Sequence, residues 1–386
     1  MEYINIGIRT WYNSINYGTC LQAYALSQFL KKHSYNVFFV EGLKYYYGLH
    51  NPVETITAII KKYINKHKKQ PNSEYKFNDI NLDIQEKYIK RKLKNTNFTN
   101  TKMSIHTNYS KNEYKKMLDN TNIFITGSDQ IWNPNYVCTH NLLAFAPKHK
   151  KIAYASSMGV DKIPFFLRGM YKKYLSRFYK IGVREKTAQI ELSKLLKKDV
   201  VTVLDPTFLL NKKDWINIID KENCEKLPGK KYIFCYFIGK NRDWEKKIEE
   251  YALKNDYEVI CAPSESYIIP DVGIAKPELG VEEFVNFLMN ADIVSTDSFH
   301  AVALSINFNK KFAVFKRFKD TDKKSQNSRI IDVLNTFKLS NQLIDGENTL
   351  EKVLEKDIDY SETNNILNEL RNSSEKFLIN AIESDE

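Results

Sequence analysis

At 386 residues the chain is about two domains by the usual 100–200 residues each, and its formal net charge is +11. The five cysteines (Cys20, Cys138, Cys224, Cys235, Cys261) are scattered without a CxxC pair, which argues against a disulfide framework or zinc site and for a reducing compartment. The run Met1–Arg9 lacks the basic start and long apolar stretch of a signal peptide, and nothing approaches the roughly 20 apolar residues of a membrane span, so the expected setting is cytoplasmic.

In chain order, residues 3–8 read as a core strand and 9–18 as a loop ending in Asn16-Tyr17-Gly18. Leu21, Tyr24, Ala25, Gln28 and Phe29 then place a helix over 19–33, followed by strand 36–40. Residues 44–118 hold 16 Lys/Arg against 6 Asp/Glu, nearly the whole charge excess, densest at 61–69. The segment reads as a solvated insertion or as a basic face for an anionic membrane surface or polyanionic substrate. Nucleic acid is not expected, because no RNA- or DNA-binding pattern accompanies the charge.

Strand 122–126 opens into Gly127-Ser128-Asp129-Gln130-Ile131-Trp132. Strands 151–156 and 179–184 flank a helix at 165–177, and strand 200–203 runs into Asp205-Pro206. A second unit begins near 228 with strand 232–237, helix 242–254 and strand 258–262. Val281, Phe284, Val285 and Leu288 mark a helix at i, i+3, i+4, i+7 spacing. The strand around Ile293-Val294 then runs into Asp297-Ser298-Phe299-His300 and an apolar helix, and strand 311–315 follows. Residues 361–383 form a long amphipathic helix. Alternating strands and helices predict an α/β fold of two doubly wound, Rossmann-like parallel-sheet domains. The expected units are 1–225, 226–345 and C-terminal helices over 346–386 that pack back on the first domain.

His300 stands at the carboxyl end of a strand and the amino end of a helix. Open α/β sheets bind ligands there, and free N–H groups with the helix dipole favour anions. Histidine transfers protons near neutral pH, which makes His300 the expected catalyst. The other six (His33, His50, His67, His106, His140, His149) read as solvated or structural. No Walker loop, GxGxxG, HExxH or GxSxG is present, and neither a metal nor a cofactor is expected.

Seven pieces occur in order across about residues 5–335: Asn16-Tyr17-Gly18-Thr19-Cys20-Leu21-Gln22, Thr126-Gly127-Ser128-Asp129-Gln130-Ile131-Trp132, Ala153-Tyr154-Ala155-Ser156-Ser157-Met158-Gly159, Val183-Arg184-Glu185-Lys186, Asp205-Pro206-Thr207-Phe208, Thr296-Asp297-Ser298-Phe299-His300 and Asn327-Ser328-Arg329-Ile330. Together they resemble the polysaccharide pyruvyl transferase family. The resemblance implies a fold similar to GT-B glycosyltransferases and transfer of a pyruvyl group from phosphoenolpyruvate to a sugar hydroxyl, forming a ketal. It also implies work on soluble or lipid-linked glycan acceptors at the inner face of the cell membrane. Better-known members carry arginine two residues before the histidine; here that residue is Ser298, which lacks the charge for bidentate anion binding.

Asp129 is expected to orient the acceptor or act as base, or else to cap the next turn. Donor binding falls to Arg184, Lys186, Ser298, Phe299 and Arg329, with a helix cap as the other reading of Ser298. Acceptor contacts fall to Asn16, Tyr17, Gly18, Ser128, Gln130 and Trp132. Trp132 suits stacking on a sugar or packing in a core, and Gly18 suits ligand contact or the turn alone. Asp205-Pro206 reads as a structural strand end. Two other functions stay open: a GT-B-type glycosyltransferase using a nucleotide-sugar, and a non-catalytic glycan-binding or assembly protein.

Overall fold

The computed structural model describes residues 4–12, 15–40, 82–106, 110–146, 150–220, 222, 224–239, 242–264, 269–319, 327–345 and 347–384. The densest basic stretch, 61–69, and His50, His67 and His149 lie outside them.

Two parallel sheets organise the chain, as the alternation of strands and helices predicts. The first contains β1 (Asn5–Arg9), β2 (Asn36–Val40), β3 (Ile105–His106), β4 (Ile123–Thr126), β5 (Lys151–Ser156), β6 (Lys180–Val183) and β7 (Val201–Thr202), in the spatial order β3-β2-β1-β4-β5-β6-β7. The second contains β8 (Tyr232–Tyr236), β9 (Glu258–Cys261), β10 (Ile274–Ala275), β11 (Ile293–Thr296), β12 (Lys311–Phe315) and β13 (Leu343–Ile344), in the order β10-β9-β8-β11-β12-β13. Each order reverses once, between β1 and β4 in the first sheet and between β8 and β11 in the second. Such a reversal opens a crevice beyond the carboxyl ends of the strands. Strands buried on both faces read as unbroken apolar runs; β8 (YIFCY) is buried throughout.

The helices are α1 (Tyr17–Lys32), α2 (Leu82–Lys102), α3 (Lys111–Asp119), α4 (Phe165–Leu175), α5 (Lys186–Leu196), α6 (Lys212–Ile216), α7 (Asp243–Asn255), α8 (Val281–Asn290), α9 (Phe299–Asn307), α10 (Ser328–Thr336), α11 (Leu350–Glu355) and α12 (Ser361–Glu383). Helix α12 packs on the first sheet. Its Ser374 Oγ accepts from the Leu204 N–H at 2.9 Å, and the Phe377 ring fills the space that a side chain at Gly182 would need.

The described part of the basic segment is anchored to the second domain through one buried arginine and two lysines. Helix α2 is a strut between the domains. The guanidinium of Arg91 is buried and donates to the carbonyls of Pro263 (2.6 Å) and Ile15 (2.7 Å), and it lies 3.9 Å over the Tyr17 ring. Lys94 pairs with Glu283 at 2.5 Å and Lys102 with Glu282 at 3.8 Å, both on α8 of the second domain. Of these three cations Arg91 is buried, while Lys94 and Lys102 make partly exposed ion pairs.

Candidate active site

The two crevices face each other, and α1 and α9 meet where they do. Asn16 caps α1 by accepting from the Gly18 N–H at 2.9 Å. Gly18 then lies directly against His300 of α9: a Cβ there would sit 2.1 Å from the imidazole Nδ1. The glycine makes room for the catalytic candidate of the opposite domain, a role that neither the turn nor a ligand contact anticipates.

His300 is buried. Its Nε2 has no hydrogen-bond partner among the described residues and lies 3.8 Å from Asp205 Oδ2. Burial holds the imidazole below the ordinary histidine value. The Asp205 and Asp129 carboxylates oppose that effect, and the Arg184 and Arg329 guanidiniums add to it.

Asp205, read from the sequence as a structural strand end, is the hub of the site. Its Oδ2 accepts from Ser128 Oγ (2.8 Å) and Arg184 Nη1 (3.0 Å), and its Oδ1 accepts from the Thr207 N–H (3.0 Å) and hydroxyl (2.8 Å). Burial alone would raise its pKa, but His300, Arg184 and these hydrogen bonds hold it below the usual carboxylate value. The signal that could have found it was its place in a matching motif. Its Pro206 starts a short 3₁₀ turn, and that local role hid the wider one.

Arg184 directly follows β6, with its Cζ 4.4 Å over the Phe299 ring. It bonds Asp205 and, through Nε and Nη2, Glu185 Oε1 at 3.3 Å. The Ser157 hydroxyl also donates to Glu185. Burial would lower the arginine's pKa, and the Glu185, Asp205 and Asp129 carboxylates raise it. The guanidinium thus holds two carboxylates in place, in a buried ion-pair network at the position where the sequence pointed to anion binding over a surface ion pair. Burial, with Arg184 nearby, pushes Arg329 on α10 down to about 10. Arg184, Lys186, Asp205, Phe299 and Arg329 line one side of a largely apolar cavity of about 190 Å³ between the domains. Lys186, the first residue of α5, is exposed at this cavity.

Other expected contacts fall elsewhere. Trp132 is wholly buried, its indole N–H donating to the Asn141 carbonyl at 3.2 Å and its ring edge-on to Phe178; it packs the core and offers no face to a sugar. Tyr17 is buried too, stacked on Phe284 at 4.1 Å with its hydroxyl donating to the Leu279 carbonyl at 2.7 Å, so it joins the two domains. Ser128 is enclosed between Asp205 and Gln22, whose Oε1 accepts the Ser128 N–H at 3.1 Å. Gln130 accepts from Asn133 within its own loop. Asp129 remains at the crevice, its Oδ2 accepting from Thr19 Oγ1 at 2.9 Å. Ser298 stands at the N-cap position of α9 but makes no side-chain cap bond. Its hydroxyl is buried without a partner among the described residues.

The sequence also missed Arg317, which braces Asp297: its Nη2 donates to the Asp297 carbonyl at 2.9 Å and its Nε lies 3.3 Å from Asp297 Oδ2. Among the described residues no group of three or more His, Cys, Asp or Glu side chains is placed to hold a metal ion.

Solved structures similar to this chain include the S. aureus protein MnaA with UDP (12% identity, TM-score 0.47, covering 100% of this chain and 99% of that one). A Neisseria meningitidis UDP-GlcNAc 2-epimerase bound to UDP-GlcNAc is also similar (10%, 0.46, 98% and 99%). So is the E. coli ADP-heptose lipopolysaccharide heptosyltransferase II (9%, 0.37, 96% and 100%). No curated protein matches the sequence at a significant level. The polysaccharide pyruvyl transferase family model matches residues 16–317, most of the chain and every element of the His300 cluster up to β12. The chain belongs to the polysaccharide pyruvyl transferase family.

Proposed function

We propose that the chain transfers a pyruvyl group from phosphoenolpyruvate to two hydroxyls of a sugar in a soluble or lipid-linked glycan, with His300 moving the proton. The observation that carries this reading is the buried His300 Nε2, 3.8 Å from the Asp205 carboxylate, at the meeting of the two sheet crevices.

The chemistry needs a base for the sugar hydroxyl, an acid for the enol methylene and cations around phosphate and carboxylate. The first hydroxyl oxygen bonds to C2 of the enol while the methylene gains a proton and becomes methyl. The second hydroxyl then displaces the phosphate by breaking the C2–O bond, and its proton leaves with inorganic phosphate. A neutral imidazole accepts the first hydroxyl's proton, and the nearby Asp205 carboxylate stabilises the imidazolium that results. Arg329, Lys186 and Arg184 supply positive charge for the donor, beside Ser298 and Phe299. Asp129 and Asn16, on the first-domain side, orient the acceptor.

The proposed donor cations Arg184, Lys186 and Arg329 line a neighbouring cavity of about 190 Å³, room for a small anion. Drug-sized ligands, the class of a nucleotide-sugar, take pockets of about 300–1,000 Å³. Thermal denaturation of the purified chain with phosphoenolpyruvate and with a panel of nucleotide-sugars tests the reading. Stabilisation by phosphoenolpyruvate, and phosphate release on adding a glycan acceptor, is expected. Stabilisation by a nucleotide-sugar instead would turn the reading to glycosyl transfer, and by neither to a glycan-binding protein.

A further inference from the structure

Helix α4 is buried on one side only. Leu167, Tyr171, Tyr174 and Leu175 face the core of the first domain. The outward residues are Phe165, Phe166, Gly169, Lys172 and Lys173, which fall on one arc at 100° per residue. Phe165 is 90% exposed and Phe166 66%, which puts two large rings in water side by side at the start of a helix. Single exposed apolar residues need no explanation, but adjacent aromatics on a face without acidic side chains do.

The charge around them points to the partner. Residues 161–180 carry Lys162, Arg168, Lys172, Lys173, Arg177 and Lys180 against Asp161 alone. Arg168 is paired with Glu191, while Lys172 and Lys173 have no acidic partner among the described residues. Rings at one end and lysines at the other are what a helix lying in the surface of an anionic bilayer presents: apolar side chains enter the acyl boundary and ammonium groups meet lipid phosphates. A symmetric dimer that pairs this helix parallel to its copy would set each copy's Lys172 and Lys173 against its partner's like charges, and an antiparallel one would bury unpaired ammonium groups against the rings. Among the described residues no helix is long and apolar enough to cross a membrane, so attachment here would be peripheral.

We infer that Phe165 and Phe166, with Lys172 and Lys173, dock the protein on an anionic membrane surface. The inference is independent of the donor chemistry proposed above. It assigns the membrane face to α4, a different segment of the chain from the basic 44–118 stretch in which the charge alone suggested it.

The test is co-sedimentation of the full chain with vesicles of phosphatidylcholine, with and without phosphatidylglycerol, at rising salt. The wild-type chain should bind the anionic vesicles and lose that binding as salt increases. The F165S/F166S variant, which alters only exposed side chains and should keep the wild-type Tm, should bind about tenfold more weakly for each ring removed. K172E/K173E should lose the preference for phosphatidylglycerol. Unchanged binding by F165S/F166S, or no binding of the wild-type chain even at low salt, would overturn the inference. So would a wild-type dimer in solution that F165S/F166S converts to monomer, because the face would then be a protein interface.

Discussion

At the reversal of the first sheet, Asp129 ends β4's loop and bonds the Thr19 hydroxyl, while its neighbour Ser128 reaches Asp205. At the reversal of the second sheet, Asp297 directly follows β11, one residue past the strand where Asp129 is three past β4. Its two carboxylate oxygens accept from the backbone N–H groups of Ile238 (2.7 Å) and Gly239 (2.8 Å), and Arg317 packs against it. One carboxylate is thus bonded to a side chain and stays at the crevice, while the other ties the end of β11 to the main chain of the loop after β8. A polar residue at a strand's carboxyl end is a candidate ligand in both crevices, yet only one of these acids keeps a free edge. In the second domain the proposed catalyst stands three residues further on, at His300.

The contrast is broken most directly at His300. His300→Ala should lower turnover by about 10²–10⁴-fold, the range for loss of a general acid or base, with the fold kept and the Tm lowered by loss of a buried ring. Steady-state phosphate release from phosphoenolpyruvate and a glycan acceptor reads this out, and a wild-type rate would remove the imidazole from the mechanism.

The two aspartates offer the next test. Asp205→Asn leaves the buried Arg184 short of one carboxylate, and breaking a buried pair costs about 3–5 kcal/mol. Both stability and rate should fall. Asp297→Asn exchanges one carboxylate oxygen for an amide that cannot accept, and an unsatisfied buried N–H costs about 1–3 kcal/mol. Denaturant unfolding should show that loss, with turnover per folded molecule retained. Equal kinetic damage at both positions would erase the distinction between a reactive and a structural crevice.

A smaller effect follows from pH. His300 is held below its ordinary value, so the unfolded chain takes up its proton first as pH falls. Stability is therefore complete above the unfolded value of about 6.5 and declines as pH drops from there toward the lower native value. Asp205 acts in a more acid window: its contribution is present above the unfolded value of about 3.9 and disappears as pH falls through its depressed native value. Tm measured against pH should show the upper slope in the wild-type chain and lose it in His300→Gln.

Ser298→Ala carries the smallest expected change. The hydroxyl it removes is buried without a partner among the described residues, so stability should move by less than about 1 kcal/mol or rise slightly. A raised KM for phosphoenolpyruvate with unchanged kcat would show that the hydroxyl meets the donor; no change in either would confine Ser298 to the turn.

How much of this was legible varied with the kind of information a residue carries. The strands and helices follow local periodicity, and Lys151–Ser156, Lys311–Phe315 and Ser361–Glu383 lie where the pattern puts them. His300 was legible for the same reason, since a strand end beside a helix start is a local feature. Trp132 was not, because an aromatic in a strand-end loop looks the same whether it turns to the crevice or to Phe178, 46 positions away in sequence.

The sequence by itself determined the two α/β units, the family motifs and the placing of one histidine at a ligand-binding edge. Only the tertiary structure decided that Asp205 would become the hub, that Gly18 would clear space for a ring of the other domain, and that Arg91 would leave the basic segment to brace Tyr17. The reason is range. Backbone preference and burial period act within a few residues, whereas a buried charge takes its partner from whichever face packing brings within about 4 Å, and that choice is made between residues far apart in the chain.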